Sequence, residues 1–259
     1  MEFVDVQIDA RGVARMTLTR AAKRNALSAQ MMDEITQAAQ TLDADPAVRV
    51  IILAATGPVF CAGGDLGWMR DQMTADTATR KIEAQRLAGM LQQLNALTKP
   101  LIARVQGDAF GGGVGMTCVC DVIVAADHAR FGLTETRLGL IPATIGPYVL
   151  ARMGEGRARQ VFMSSRSFDA TEALGLGIVT RAVPVVALDE AVALEVNPYL
   201  ACAPGAVAAA KAYARSYGPT IDAATIERSI TALLAQWETR EAAEGIAAFF
   251  EKRKPNWTV

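Results

Sequence analysis

The chain has 259 residues, of which 51% are hydrophobic and 20% charged, with a formal net charge of −1 at pH 7. That length buries a substantial apolar interior, as one large domain or a core with an appendage, and the near-neutral balance gives no global drive toward nucleic acid or an anionic membrane. A single histidine and four cysteines, Cys61, Cys118, Cys120 and Cys202, supply neither zinc-ligand spacing nor a disulfide framework, so no metal site is expected and the thiols are expected to be reduced and buried.

Met1–Asp5 shows neither the basic flank nor the apolar stretch of a secretory leader, and no apolar run approaches bilayer-spanning length; the expected compartment is the cytoplasm. Phe3–Ile8 and Val13–Leu18 partly alternate apolar with polar residues, the pattern of an antiparallel edge pair turned through Asp9-Ala10-Arg11-Gly12. Ser28 then precedes Met31, Met32, Ile35, Ala38, Ala39 and Leu42 at helical spacing, with Pro46 beyond the far end. Val48–Ala54 is nearly continuous and β-branched, as in a strand covered on both faces; Leu101–Val105 is a shorter version and Asp121–Ala125 a third. The first two each run into a glycine turn, Cys61-Ala62-Gly63-Gly64-Asp65 and Gly111-Gly112-Gly113. Helices are predicted over Leu66–Met73, Thr74–Leu97 and Gly112–Cys118, and the succession suggests βα units that gather ligands at the carboxyl ends of strands. Past Leu188 strand signals fade and alanine-rich helical patterns follow, Ala206–Tyr213 and Ile221–Trp237. A boundary near residue 200 separates a core, 1–200, from a helical region, 201–259. Ala247–Pro255 ends a helix with cations, which suits its dipole. No internal repeat stands out.

Glycine lets main chain approach a ligand closely, and the first amides of a helix have no internal partner. Gly64 and Gly112 are therefore candidate N–H donors of an oxyanion hole, two amides on one carbonyl oxygen, with tight packing as the plainer reading. Glu135, beside the apolar run Leu138–Pro142, is the candidate proton carrier, because apolar surroundings raise a carboxyl toward neutrality. Its alternative is an ion pair with Arg130 or Arg137. Lys23 and Arg24, with Lys252 in the tail, are candidates for the phosphates of an extended anionic substrate or simply solvated surface. Asp65 is a ligand contact or an N-cap, Trp68 and Met69 are pocket wall or core, and His128 reads as structural. No segment fits the P-loop, and the Gly111 cluster misses G-x-G-x-x-G, so ATP and NAD readings fall away.

Taken together, Lys23-Arg24-Asn25-Ala26-Leu27, Phe60–Leu66, Gly107–Gly115, Phe131–Pro142 and Ala248–Arg253 resemble the crotonase superfamily, the enoyl-CoA hydratases and isomerases, in the same order over most of the chain. The resemblance implies an α/β fold, a spiral of ββα turns with a C-terminal helical region used in trimerisation, and commonly hexamers. It also implies an acyl-CoA thioester substrate, with coenzyme A part of that substrate and no separate cofactor. Gly64 and Gly112 match the residues whose amides hold the thioester oxygen, and Glu135 matches the second of two catalytic glutamates. The first falls at Gly115, which has no side chain. Two-glutamate hydratases hold water between both carboxylates; isomerases in the family keep only the second. Gly113-Val114-Gly115 and Thr134–Tyr148 look like bacterial hydratases of branched or glutaconyl-type CoA esters, the methylglutaconyl-CoA group. The implied activity is hydration of a 2-enoyl-CoA, with isomerisation, or acyl-CoA binding with weak catalysis, as alternatives. Further matches imply that backbone around Lys23, Ala62 and Leu66 faces the adenosine end of CoA, and that Phe249 and Lys252 reach CoA from a neighbouring subunit.

Overall fold

The computed structural model describes all of residues 1–259. Its first two strands, β1 (Val4–Ile8) and β2 (Val13–Leu18), form the antiparallel hairpin that their alternation predicts, and Gly12 turns it at φ +81°. Ser28 caps α1 (Ala29–Ala44) by accepting the Met31 N–H, and the methionine–leucine stripe of that helix is buried.

Three similar units follow. β3 (Val50–Ala55) leads to β4 (Val59–Cys61), α2 (Leu66–Thr74) and α3 (Thr77–Ala96); β5 (Leu101–Val105) leads to β6 (Asp108–Phe110) and α4 (Gly112–Cys118); β7 (Val122–Ala126) leads to β8 (Arg130–Gly132), a 3-10 turn at Glu135–Leu138 and α5 (Gly146–Met153). Each longer strand joins one sheet and each three-residue strand joins another. The remaining elements are α6 (Glu155–Phe162), β9 (Ser167–Asp169), α7 (Ala170–Gly175), β10 (Arg181–Val183), 3-10 turns at Ala21–Lys23 and Val185–Ala187, and four helices, α8 (Leu188–Leu200), α9 (Pro204–Ser216), α10 (Ala223–Trp237) and α11 (Arg240–Glu251).

The larger sheet has the order β1-β2-β3-β5-β7-β10, parallel from β2 onward, and the smaller has β4-β6-β8-β9, with only β9 antiparallel. Parallel neighbours require crossovers, and crossovers cover both faces of a sheet. This explains why all six positions of β3 are buried. Ile51 and Leu53 enter the main core with Phe60 and Phe131, whereas Val50 and Ile52 pack against Leu188, Val192 and Val196 of α8. The α/β expectation holds, and the progression of ββα units is the spiral that the resemblance implies.

Several local expectations are corrected. β3 and β5 do not run straight into the glycine turns: β4 and β6 intervene, too short to show periodicity. The repeat is therefore structural, with little trace in the sequence. Thr74–Leu97 is not one helix, because Asp76 caps α3 separately by accepting the Thr79 N–H. Cys61, Cys118 and Cys120 are buried free thiols, but Cys202 is exposed. No single helix is long and apolar enough to cross a membrane.

Candidate active site

β4 and β6 lie side by side and parallel, so the glycine turns that follow them emerge together. Gly63 has φ +93° and Gly111 φ +48°, both in the region that disfavours side chains. The turns touch: a Cβ added to Gly63 would lie 3.2 Å from Phe110 O, and one on Gly111 would lie 3.9 Å from Gly63 Cα. Gly113 packs still closer to β4, since a Cβ there would lie 2.6 Å from Cys61 O.

The first turn is pinned to the segment before α1. Leu27 N–H donates to Gly63 O at 2.8 Å and Asp65 N–H donates to Leu27 O at 3.0 Å, while the Gly64 N–H between them has no main-chain acceptor. Gly112 is the first residue of α4, so its N–H has no partner inside the helix. Two donors without backbone partners thus stand on adjoining turns.

Glu135 opens the 3-10 turn after β8, and β8 pairs with β6, which brings the carboxyl beside the second glycine turn. A Cβ on Gly111 would lie 3.0 Å from Glu135 Oε1. The residue as a whole is half-buried, but Oε2 is shut off from solvent and has no hydrogen-bond partner. Burial pushes this carboxyl up to about 7, against the opposing backbone hydrogen bonds of Glu135 and Thr134. No ion pair forms. Arg130 Nε donates to Ser167 Oγ and Arg137 Nη2 donates to Ser165 O, so the surface-pair alternative for Glu135 is set aside.

The turn carrying Glu135 is seated by the end of the chain. Gln236 Nε2 donates to Gly139 O at 2.8 Å, and a Cβ on Gly139 would lie 2.3 Å from Glu241 O. At Gly115, the side chains of Ile145 and Leu91 fill the adjoining space.

These elements enclose a cavity of about 660 Å³. The two turns and Glu135 form its polar side, and Trp68, Met69, Ile141, Ile145, Leu233 and Trp237 form much of its apolar wall. Of the residues singled out in the sequence, Arg24, Ala62, Gly64, Leu66, Gly112, Glu135 and Phe249 line it together, and Phe249 does so within its own chain. Lys23, Asp65 and Lys252 do not. Lys23 is exposed at the end of the 3-10 turn Ala21–Lys23, and Lys252 ends α11 at φ +54°. Asp65 caps α2 by accepting the Gly67 and Trp68 N–H groups and pairs with Arg20 at 2.6 Å. Burial opposes its charge, but Arg20 and the two amides outweigh burial and hold the carboxyl below its ordinary value. His128 is exposed beside Asp127 and lines no part of the cavity.

Ser165, Ile145, Leu233 and Trp237 also line the cavity although the sequence did not single them out as site residues. The α10 residues lay inside a recognisable helix, but nothing in that pattern says which distant strand ends they face. A larger cavity of about 1020 Å³ lies beside α9 and shares no residue with this one. There Lys211 is paired with Asp121 at 2.6 Å and Arg152 donates to main-chain oxygens of Cys120 and Asp121. Of these two cavities, only the smaller joins an unpaired buried acid to free amides.

Residues 9–259 match the family described as "Enoyl-CoA hydratase/isomerase". "Probable enoyl-CoA hydratase echA8" of Mycobacterium tuberculosis is 36% identical over 260 residues, covering 99% of this chain and 98% of its own. "Mevalonyl-coenzyme A hydratase sidH" of Aspergillus fumigatus is 34% identical over 249 residues, covering 93% and 90%. Among solved structures, an enoyl-CoA hydratase from Mycobacterium avium superposes with a TM-score of 0.86 at 32% identity, covering 100% of both chains. One from Shewanella pealeana gives 0.81 at 35% identity, covering 98% and 96%.

Proposed function

The chain belongs to the enoyl-CoA hydratase/isomerase family, the crotonase superfamily, and on that premise we propose that it adds water across the double bond of a 2-enoyl-CoA. The observation that carries this reading is the unpaired, buried carboxyl of Glu135 against the glycine turns that present the Gly64 and Gly112 amides. The thioester oxygen sits between those two N–H groups. Water adds at Cβ, the π electrons move toward that oxygen, and the enolate-like transition state is held more tightly than the ground state. Glu135 takes a proton from the attacking water and returns one to Cα, so the net change is one water added. A carboxyl near 7 serves both directions of transfer at neutral pH. No metal or redox group is assigned a role.

Arg24, Ala62 and Leu66 take the coenzyme A portion, with Lys23 and Lys252 at the protein surface as partners for its phosphates and Phe249 as an apolar contact. Asp65 is assigned to shaping that end of the site through its cap. The acyl group is a branched or glutaconyl-type one; the motif from Thr134 to Tyr148 supports this, and the broad apolar wall suits a branched chain. Residues 1–200 act as the spiral core and 201–259 as the helical region through which the chain forms a homotrimer or a pair of trimers, working in the cytoplasm.

A second reading, migration of the double bond, is favoured by one observation: a single carboxyl faces the glycine turns, because the Gly115 position carries none. Mass spectrometry of products from linear, branched and glutaconyl 2-enoyl-CoA esters separates the two. A product heavier by one water supports hydration; an isomer of unchanged mass supports migration; binding without turnover reduces the protein to an acyl-CoA carrier and ends both.

A further inference from the structure

Ser165 is a buried serine, 6% exposed, held at φ +51° between α6 and β9. L-residues avoid this region, and glycine would adopt it without steric cost. A serine kept in a glycine-like conformation calls for a use of its hydroxyl, and the hydrogen bonds supply one. The Arg137 N–H donates to Ser165 Oγ at 2.9 Å, and Thr136 Oγ1 lies 2.6 Å from the same atom. Thr136 Oγ1 is also 3.1 Å from Met163 O, an atom that only accepts. The proton order is therefore fixed. Thr136 O–H donates to Met163 O, Ser165 O–H donates to Thr136 Oγ1, and Ser165 Oγ receives the Arg137 N–H. Each hydroxyl gives one bond and takes one.

Thr136 and Arg137 are the second and third residues of the 3-10 turn that begins on Glu135. That turn carries no salt bridge at Glu135, and the carboxyl has no side-chain partner to aim it. Its direction is inherited from the backbone. On one side the backbone leans on α10 and α11 through Gly139; on the other it is tied only through Thr136 and Arg137 to the loop holding Ser165. We propose that Ser165 is a positioning residue for the reaction: its hydroxyl fixes the 3-10 turn so that the Glu135 carboxyl stays against the second glycine turn. The inference rests on Glu135 being the proton carrier.

The test uses the full-length chain with a turned-over 2-enoyl-CoA and compares Ser165→Gly, Thr136→Val and Glu135→Gln with the native protein. Ser165→Gly relieves the left-handed strain while deleting the hydroxyl, so its melting temperature should stay close to native. Its kcat should fall by about 10- to 100-fold, the scale of loss from a small misplacement of a reacting group, with KM little changed. The bend in the pH–kcat/KM profile should also move from near 7 toward ordinary carboxylate values, because a loosened turn lets water reach the acid. Thr136→Val should reproduce both changes more weakly, and it carries the test if Ser165→Gly does not fold.

Native kcat and an unmoved pH profile in a folded Ser165→Gly protein would overturn the inference, provided Glu135→Gln is inactive. A rise in KM with kcat unchanged would also overturn it, by making Ser165 a substrate contact. If Glu135→Gln keeps its turnover, the underlying assignment of the proton carrier has failed instead.

Discussion

Ile145 stands where a side chain at residue 115 would have to go: a Cβ built on Gly115 lies 2.5 Å from Ile145 Cγ2 and 3.6 Å from Leu91 Cδ2. The vacancy for a second acid is therefore filled, and Gly115 and Ile145 are a complementary pair.

Gly115→Glu alone should consequently not improve hydration. Overpacking of this kind costs about 1–3 kcal/mol, and the expected result is a lower melting temperature with no gain in turnover. Gly115→Glu combined with Ile145→Ala reopens the space and should raise kcat on a linear 2-enoyl-CoA above that of either single variant. Steady-state kinetics on the four proteins checks it; a gain in Gly115→Glu alone would show that the pair is not exclusive.

Glu135 links activity to stability through one titration. The folded chain ionises it near 7, against an ordinary 4.5 when unfolded. Because the folded-state value is raised, its contribution to stability is full below about pH 4.5 and is lost as pH rises through 7. The size is at most about 3 kcal/mol. Glu135→Gln should thus gain melting temperature relative to native between those limits and hold the gain above them, while its kcat falls about 100-fold or more. Parallel thermal melts from pH 4 to pH 9 give the first result; a difference that does not vary with pH would contradict the buried-acid account.

Asp65 is the residue whose structural and binding roles separate most cleanly. Asn caps helices about as well as Asp, so Asp65→Asn keeps α2 but removes the charge that pairs with Arg20. Stability should fall by about 2 kcal/mol, the worth of a hydrogen bond to a charged group, with KM for the CoA ester unchanged. A tenfold rise in KM at native stability would instead make Asp65 a direct contact.

Gly113→Ala tests why the turns adjoin. The added methyl would meet the carbonyl of Cys61, a main-chain atom of β4 that cannot rotate aside. Thermal melts should show a loss of about 1–3 kcal/mol, with kcat falling because α4 must move away from β4.

Part of the cavity lining is legible in the sequence. The nearly continuous apolar run Val48–Ala54 points to a strand covered on both faces, found at Val50–Ala55; Asp65, read as a ligand contact or an N-cap, caps α2; and the two glycine clusters and Glu135 single out residues that line one cavity. What stayed hidden has a common cause. Val59–Cys61, Asp108–Phe110 and Arg130–Gly132 are three residues each, shorter than any periodicity, and they exist as strands only because each finds its neighbour some 20 to 50 residues away. The contact of Ile145 with Gly115 is likewise tertiary. Ser165 is hidden more deeply, since a left-handed serine carries no glycine to mark it.

The dependence of the Glu135 turn on Gln236 and Glu241 has a consequence for synthesis. Glu135 and both glycine turns are already joined in the chain once residue 140 is made, but the floor beneath Gly139, Gln236 and Glu241, is encoded about a hundred residues later. An unfinished polypeptide holds both glycine turns and Glu135 but lacks the two helices on which the Glu135 turn rests, so on the proposed mechanism the acid is seated only when those last helices are added.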